Sequence, residues 1–249
     1  MNKKALVTSG SKGLGKAVVD KLVENGIKTF WTTSKNLKYD NNDNSLSIPI
    51  KCDIFNKDDV ENLLNIIKKE KFDLLVINSP GPKAGNVFEI TENDWKSHFD
   101  SVFLNPVKIM EEAAKFMMDK KFGRILVITS VSVKKPIDNL LLSNCLRAAL
   151  TSYVKALAKK LAPFNVTVNT IAPGYTLTER VDYLIKEKMK TMNKSYEEMY
   201  QELASQIPAN RIADVKEFSS AAYFLLSDEA SYITGTTLTV DGGFTDYPF

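Results

Sequence analysis

The stretch "KALVTSGSKGLGKAVVDKLVEN", residues 4–25, decides the fold. "KALVTSG" is a short apolar run closed by a glycine, and it reads as a buried strand. Residues 13–25 place apolar side chains at helical spacing and stop at Gly26, which predicts a helix. Between the two lies "TSGSKGLG", with glycines at 10, 13 and 15. Strand, glycine-rich turn and helix in this order allow the backbone to approach a pyrophosphate, whose charge then sits at the helix N-terminus. Ser9, Gly10, Ser11, Lys12, Gly13, Leu14 and Gly15 are therefore the candidate phosphate cradle.

The same alternation runs down the chain. "IKTFWTT" and "SLSIPI" read as strands, followed by a helix from about Lys57 to Lys69 and a strand "FDLLVIN". A long helical stretch from about Glu92 to Lys120 precedes the strand "GRILVIT". A helix over 143–162, a strand "NVTVNTIAP", a helix over 214–227 and a last strand "TLTV" complete the series. The strands are continuously apolar rather than alternating, as expected where both faces are covered. The pattern predicts an α/β fold: a doubly wound parallel sheet of Rossmann type, about seven strands, helices on both faces, and a single domain over 1–249. One segment breaks the rhythm. Residues 179–206 are highly charged and carry Met and Tyr, and they follow a strand's C-terminal end, where ligands of open α/β sheets bind. They read as a substrate lid, with a solvated helical pair as the plainer alternative.

The bulk numbers exclude several classes. With 33 basic and 30 acidic residues the net charge is +3, too small to argue for nucleic acid or an anionic membrane as partner. No window approaches the ~18 apolar residues of a membrane span, and the N-terminal apolar run is too short for a signal peptide. Cys52 and Cys145 are far apart and read as free thiols of a reducing cytoplasm. His98 is the single histidine, and without a cluster of ligands no metal site is expected.

The second strand ends "WTTSKN", where a carboxylate that would take ribose hydroxyls is missing. Ser34 and Lys35 stand there instead, and Lys12 can point at the same corner. Two cations and no carboxylate suit a 2′-phosphate, which favours NADP(H) over NAD(H).

With these residues assembled, the chain resembles the short-chain dehydrogenase/reductase family in its compact single-domain branch, almost end to end. "TSGSKGLG" is similar to the family's TGxxxGxG, with Ser9 in the place of its first glycine. "KCDI" resembles the segment whose Asp53 and Ile54 would flank the adenine, and "VINSPGP" keeps Asn78 from the NNAG motif. "IAPGYTLT" is similar to the segment after the sixth strand, which implies that Pro173, Gly174, Thr176 and Thr178 line the nicotinamide end. The residues from Ile207 to Phe244 are similar to the family's C-terminal run.

The resemblance implies a reductase in which a tyrosine handles the proton, a lysine four residues on supports it, a serine orients the carbonyl and an asparagine holds a water chain. Carried over, the serine is Ser130. The tyrosine place holds Ser143, thirteen residues on, and the lysine place holds Arg147. The asparagine place falls on Ser101, or on Asn105 with a small register change. No tyrosine in the chain has a lysine four residues later. Tyr153 shares the helix but sits in its apolar stripe with Leu146, Leu150, Val154, Leu157 and Leu161, so it reads as core or interface.

Arginine stays protonated and serine is a far weaker acid than tyrosine, so the family's proton transfer cannot run unchanged through Ser143 and Arg147. Ser130, Ser143 and Arg147 are the candidate catalytic residues, with Arg147 also able to hold the nicotinamide ribose. Ser143 is additionally expected to cap its helix. A water or a lid tyrosine (Tyr175, Tyr183, Tyr196 or Tyr200) would supply the proton.

Three readings stay open. The first is an NADP(H)-dependent oxidoreductase of a carbonyl or alcohol, 3-oxoacyl reductase-like, with a non-standard proton donor. The second is a catalytically silent nucleotide-binding homologue, a redox sensor or oligomer partner. The third is a non-redox enzyme similar to halohydrin dehalogenases, which pair Ser and Tyr with Arg but abandon the glycine loop present here. The resemblance also implies a homodimer or homotetramer acting on a small molecule in the cytoplasm.

Overall fold

In the computed structural model, which describes residues 3–35, 45–192 and 194–247, seven strands form one sheet. They are β1 (Lys4–Val7), β2 (Lys28–Thr33), β3 (Ser47–Lys51), β4 (Leu74–Ile77), β5 (Gly123–Ile128), β6 (Val166–Pro173) and β7 (Thr237–Val240). Their order is β3-β2-β1-β4-β5-β6-β7, and each neighbouring pair is parallel. The strand alternation explains why two helical layers are needed. Ala5, Val7, Leu74, Val76, Leu126 and Ile128 point to one face. Leu6, Leu75, Ile77, Ile125 and Val127 point to the other. Apolar side chains on both faces of a sheet must each be covered.

On the first face α1 (Gly13–Glu24) and α8 (Val215–Leu226) bury Val18, Val19, Leu22, Phe218 and Ala222. On the second, α2 (Lys57–Glu70), α4 (Asn105–Lys120) and α5 (Leu141–Leu161) bury Leu63, Ile67, Ile109, Met117, Leu150 and Val154. Because β1 sits between β2 and β4, the chain reverses direction across the sheet there. The carboxyl ends of β1 and β4 therefore open a crevice at the switch point. This is the doubly wound α/β domain expected from the alternation.

Two boundaries differ from the sequence-based expectation. The helical stretch from Glu92 to Lys120 is not one helix. It divides into α3 (Glu92–Phe99), a π-helical turn over Asp100–Leu104, and α4. Pro106 is the reason: it has no N–H for the carbonyl four residues back and its ring crowds that carbonyl. The wider turn, in which Asn105 N–H bonds the Asp100 carbonyl, makes room for it. The helix α5 starts at Leu141, two residues before Ser143, and no side chain caps it. Its first N–H is satisfied from afar instead: Leu141 N donates to the Gly85 carbonyl at 3.2 Å, beside a bridge between Gly85 and Leu140. Ser143 is therefore not the cap of its helix, and its hydroxyl is free for another task.

Residues 179–206 form α6 (Glu179–Met192) and α7 (Tyr196–Ala204), with residue 193 outside the described set. The pair has an apolar core of its own, in which Ile185, Met199, Leu203, Ile207 and Ile212 are buried.

Candidate active site

A cleft of about 760 Å³ opens where β1 and β4 end, within the ~300–1,000 Å³ usual for cofactor and small-molecule sites. Its floor is the glycine turn. Ser9 adopts φ 47°, a left-handed conformation that costs a serine what it would not cost a glycine. Neighbours hold it there: Thr32 Oγ1 accepts from Ser9 N at 2.7 Å, and Asn78 Nδ2 donates to the Ser9 carbonyl at 3.1 Å. Asn78 is itself tied to β1, since Thr8 Oγ1 donates to its carbonyl at 2.6 Å and accepts from its N–H at 2.8 Å. Gly10 and Gly15 are demanded by crowding. A Cβ at Gly10 would stand 2.7 Å from Trp31 Cβ, and one at Gly15 would stand 2.7 Å from Asn78 Nδ2 and overlap the Ser9 carbonyl. Gly13 needs its freedom of conformation, with φ 56°.

Ser9, Ser11, Lys12, Gly13 and Leu14 all line the cleft. The helix they open has no side-chain cap, so its first-turn N–H groups face the cleft with their partial positive charge. At the far corner Ser34, Asp53 and Ile54 line the wall, with Thr33, Cys52 and Phe55 added by the structure. Lys35 stands next to this corner, exposed and outside the lining residues, its N–H bonded to Thr33 Oγ1 at 3.3 Å. Burial, reinforced by Asp59 and Asp53, pushes the Cys52 thiol up to about 12.

At the other end stands Arg147, only 6% exposed. Its guanidinium is clamped by three acceptors: Nη1 donates to the Ile128 carbonyl at 2.9 Å, Nη2 to the Ser79 carbonyl at 3.4 Å, and Nε to Ser143 Oγ at 3.2 Å. Burial, with the nearby Arg180 charge adding to it, lowers Arg147 to about 10. It is a cation at neutral pH. Ser143 is 8% exposed and, having accepted from Arg147, keeps its own proton to donate. Ser130 begins the 3₁₀ turn Val131–Val133, where its Oγ accepts from Ser132 N at 3.1 Å.

The cleft unites the glycine turn, Ser34, Asp53, Ile54, Asn78, Arg147 and Thr178. Ser143 joins it through Arg147, while Ser130 and Ser143 lie outside the lining residues. Pro173, Gly174 and Thr176 also lie outside and have packing roles: a Cβ at Gly174 would stand 2.7 Å from Asp241 Cβ, and Thr176 is 3% exposed beside Ala213. Neither candidate for the asparagine place faces the cleft. Ser101 Oγ donates to the Ser97 carbonyl at 3.2 Å, and Asn105 Nδ2 to the Ile54 carbonyl at 2.9 Å. Val102 between them packs on Leu142 and Leu146 of α5. Tyr153 is half-buried, and its hydroxyl donates to Glu111 at 2.9 Å, away from the cleft.

The lid tyrosines separate. Tyr175 stacks edge-on against Phe244, Tyr196 donates to Asp182 at 3.0 Å, and Tyr200 packs in the α6–α7 core. Tyr183 lines the cleft. So do Glu179 and Arg180 from the first turn of α6, which sequence reasoning did not single out. Arg180 lies directly on Gly81, where any Cβ would overlap its guanidinium. His98 is structural: its Nε2 accepts from Lys83 N at 3.1 Å, and its Nδ1 meets the Asp94 carbonyl at 2.8 Å.

A nucleotide-sized crevice at the switch point, a glycine cradle at a bare helix end and a polar cluster on the helix after β5 define a dinucleotide-type oxidoreductase site. Residues 9–245 match the family model described as enoyl-(acyl carrier protein) reductase, and the chain belongs to this family of short-chain dehydrogenases/reductases. Among curated relatives it is 30% identical over 244 residues to the 3-oxoacyl-[acyl-carrier-protein] reductase FabG of Salmonella typhimurium, covering 96% of each chain. It is 30% identical over 257 residues to the NADPH-dependent reductase BacG of Bacillus subtilis, again covering 96% of each. The crystal structure of YwfH, an NADPH-dependent reductase involved in bacilysin biosynthesis, superposes with TM-score 0.90 at 27% identity over 99% of this chain and 100% of that one. A short-chain dehydrogenase family protein from Francisella tularensis gives TM-score 0.88 at 27% identity over 99% and 100%.

Proposed function

We propose that this protein is an NADP(H)-dependent oxidoreductase of a carbonyl or alcohol, 3-oxoacyl reductase-like, in which Ser143 and Arg147 take the place of the family's tyrosine and lysine. The observation that carries the reading is the Ser143–Arg147 pair, held between the ends of β4 and β5 at the inner end of the crevice. The residues fit a dinucleotide. Ser11, Lys12, Gly13 and Leu14 at the uncapped start of α1 suit its pyrophosphate. Asp53 and Ile54 would flank the adenine. Ser34, with Lys12 and Lys35, gives a corner without the carboxylate that selects NAD. Relatives described as NADPH-dependent support the same choice. Thr178, Asn78 and Arg147 would hold the nicotinamide end, where the bound cofactor supplies hydride exchange with the substrate carbon.

The chain's own residues manage the oxygen. A hydroxyl that accepts from a guanidinium is a stronger donor, and a cation held away from water acts with little screening. Ser143 O–H, backed by Arg147, therefore stabilises negative charge on the substrate oxygen. Ser130, its Oγ likewise engaged by a backbone N–H, offers a second hydroxyl. Neither has to give up its proton. The proton that completes the alcohol comes from Tyr183, the lid tyrosine that lines the cleft, and residues 179–206 act as the lid.

An aromatic row supports a homodimer or homotetramer: Phe99 at the end of α3, Phe103 in the π-helical turn and Tyr153 on α5 follow one another with centroids 5.2 and 6.4 Å apart, and Phe99 is 43% exposed. The two free thiols suit a cytoplasmic setting. The test is loss of reduced-nicotinamide absorbance with a panel of 3-oxoacyl thioesters, oxo acids and ketones. Turnover by the wild-type protein, reduced about 10²–10³-fold in Ser143→Ala with NADPH affinity kept, is expected. Ser143→Ala turning over at the wild-type rate would contradict the reading.

A further inference from the structure

Arg147 and Arg180 reach the same short loop. Arg147 Nη2 bonds the Ser79 carbonyl, and Arg180 lies against Gly81 two residues on. Both line the cleft. Among the described residues neither guanidinium has a carboxylate within ion-pair distance, whereas Arg124 and Arg211 each have one. Arg147 has five N–H groups and three acceptors, so two donors remain. The two cations disfavour each other, and burial of Arg147 adds to the cost. Such an arrangement is stable in use when an anion sits between the forks, and a planar carboxylate matches a guanidinium edge in two parallel bonds.

We infer that Arg147 and Arg180 bind a carboxylate of the substrate, so that the substrate is a small oxo acid rather than a neutral ketone. Arg147 also sets the spacing. The guanidinium that would take the carboxylate is bonded to Ser143 Oγ, the hydroxyl assigned to the reacting oxygen. Carboxylate and carbonyl must therefore be close in the substrate, as in a 2-oxo or 3-oxo acid. Arg180 stands at the start of α6, so the same contact ties the lid to a filled site. This inference rests on the reductase reading for the role of Ser143, but the anion site itself can be tested without turnover.

The test is calorimetric titration of oxalate, inorganic phosphate and acetone into the protein saturated with NADP+. Wild type is compared with Arg180→Gln and with Gly81→Ala, whose methyl group displaces the flexible end of Arg180 without touching a buried side chain. Oxalate is expected to bind wild type, to bind more tightly than phosphate or acetone, and to bind about tenfold more weakly in each variant. The inference is overturned by three results: no oxalate binding to wild type, equal oxalate binding in the variants, or phosphate binding more tightly than oxalate. Loss of NADP+ affinity in Arg180→Gln with oxalate binding intact would also overturn it, by giving the arginine to the cofactor. If NADP+ does not bind wild type, the cofactor reading fails instead. Oxalate is then titrated into the free protein, where the same tenfold loss supports the pair and its absence overturns it.

Discussion

Ser143 accepts from Arg147 at 3.2 Å, and this bond sets what each can do. Lysine cannot replace the arginine, because one ammonium cannot serve Ile128, Ser79 and Ser143 in the guanidinium's fixed fork. Arg147→Lys is expected to cost about 1–3 kcal/mol in denaturant unfolding, from carbonyls left unpaired, and to lower kcat with it. Burial, with Arg180 adding to it, lowers Arg147 to about 10, which still leaves the guanidinium that supports Ser143 charged at neutral pH. The support that Arg147 gives Ser143 should therefore be constant between about pH 6 and 9, and a bound carboxylate, which favours the cation, should strengthen its hold on the charge. Gly15→Ala should destabilise by about 1–3 kcal/mol and abolish NADPH binding, since the methyl meets Asn78 and the Ser9 carbonyl; thermal melts with and without NADPH check both. Ser143 and Arg147 could be singled out in the sequence through the register that Ser130 sets, and their four-residue spacing on α5 lets Arg147 Nε bond Ser143 Oγ. The capping expectation for Ser143 failed because the helix start is set by Gly85, more than fifty residues away, which no local pattern carries. Arg180 was hidden for the same reason: its partner Gly81 lies in a distant loop.

Among the elements, the α6–α7 pair answers to two designs at once. It has its own apolar core, as a plain helical pair would, and it sends its first turn into the cleft, as a lid would. Tyr183→Phe is expected to lower kcat about 10²-fold or more with little effect on NADPH affinity, and an unchanged kcat would return the proton to solvent. The helix α5 and the strand β3 place the two thiols differently: Cys145 is exposed on α5, while Cys52 is 5% exposed and raised to about 12. A thiol reagent at pH 8 should modify Cys145 quickly in the native protein and Cys52 only after unfolding, as peptide mass mapping would show. Helix and strand order were legible because apolar periodicity is local. The break at Asp100–Leu104 was not, although Pro106 signalled it: a proline inside an apolar period can mark a cap, a kink or a π turn, and packing of Val102 on α5 decides among them.

For the whole molecule, the strand order and the two helical layers follow from side chains that alternate between two apolar clusters. That logic places the crevice at the β1–β4 switch before any functional residue is considered. The aromatic row of Phe99, Phe103 and Tyr153 is expected to be covered in solution, and light scattering should return a dimer or tetramer rather than a monomer. The central claim is that the crevice is an NADP(H) site, with its glycine cradle at one end, the Ser34 corner at the other, and the Ser143–Arg147 pair beside the nicotinamide. It is tested most directly by titrating NADPH and NADH into the wild-type protein and following nucleotide fluorescence at one ionic strength. NADPH is expected to bind at least about tenfold more tightly than NADH, a difference of about 1.4 kcal/mol. Equal affinities, or no binding of either nucleotide, would contradict the claim.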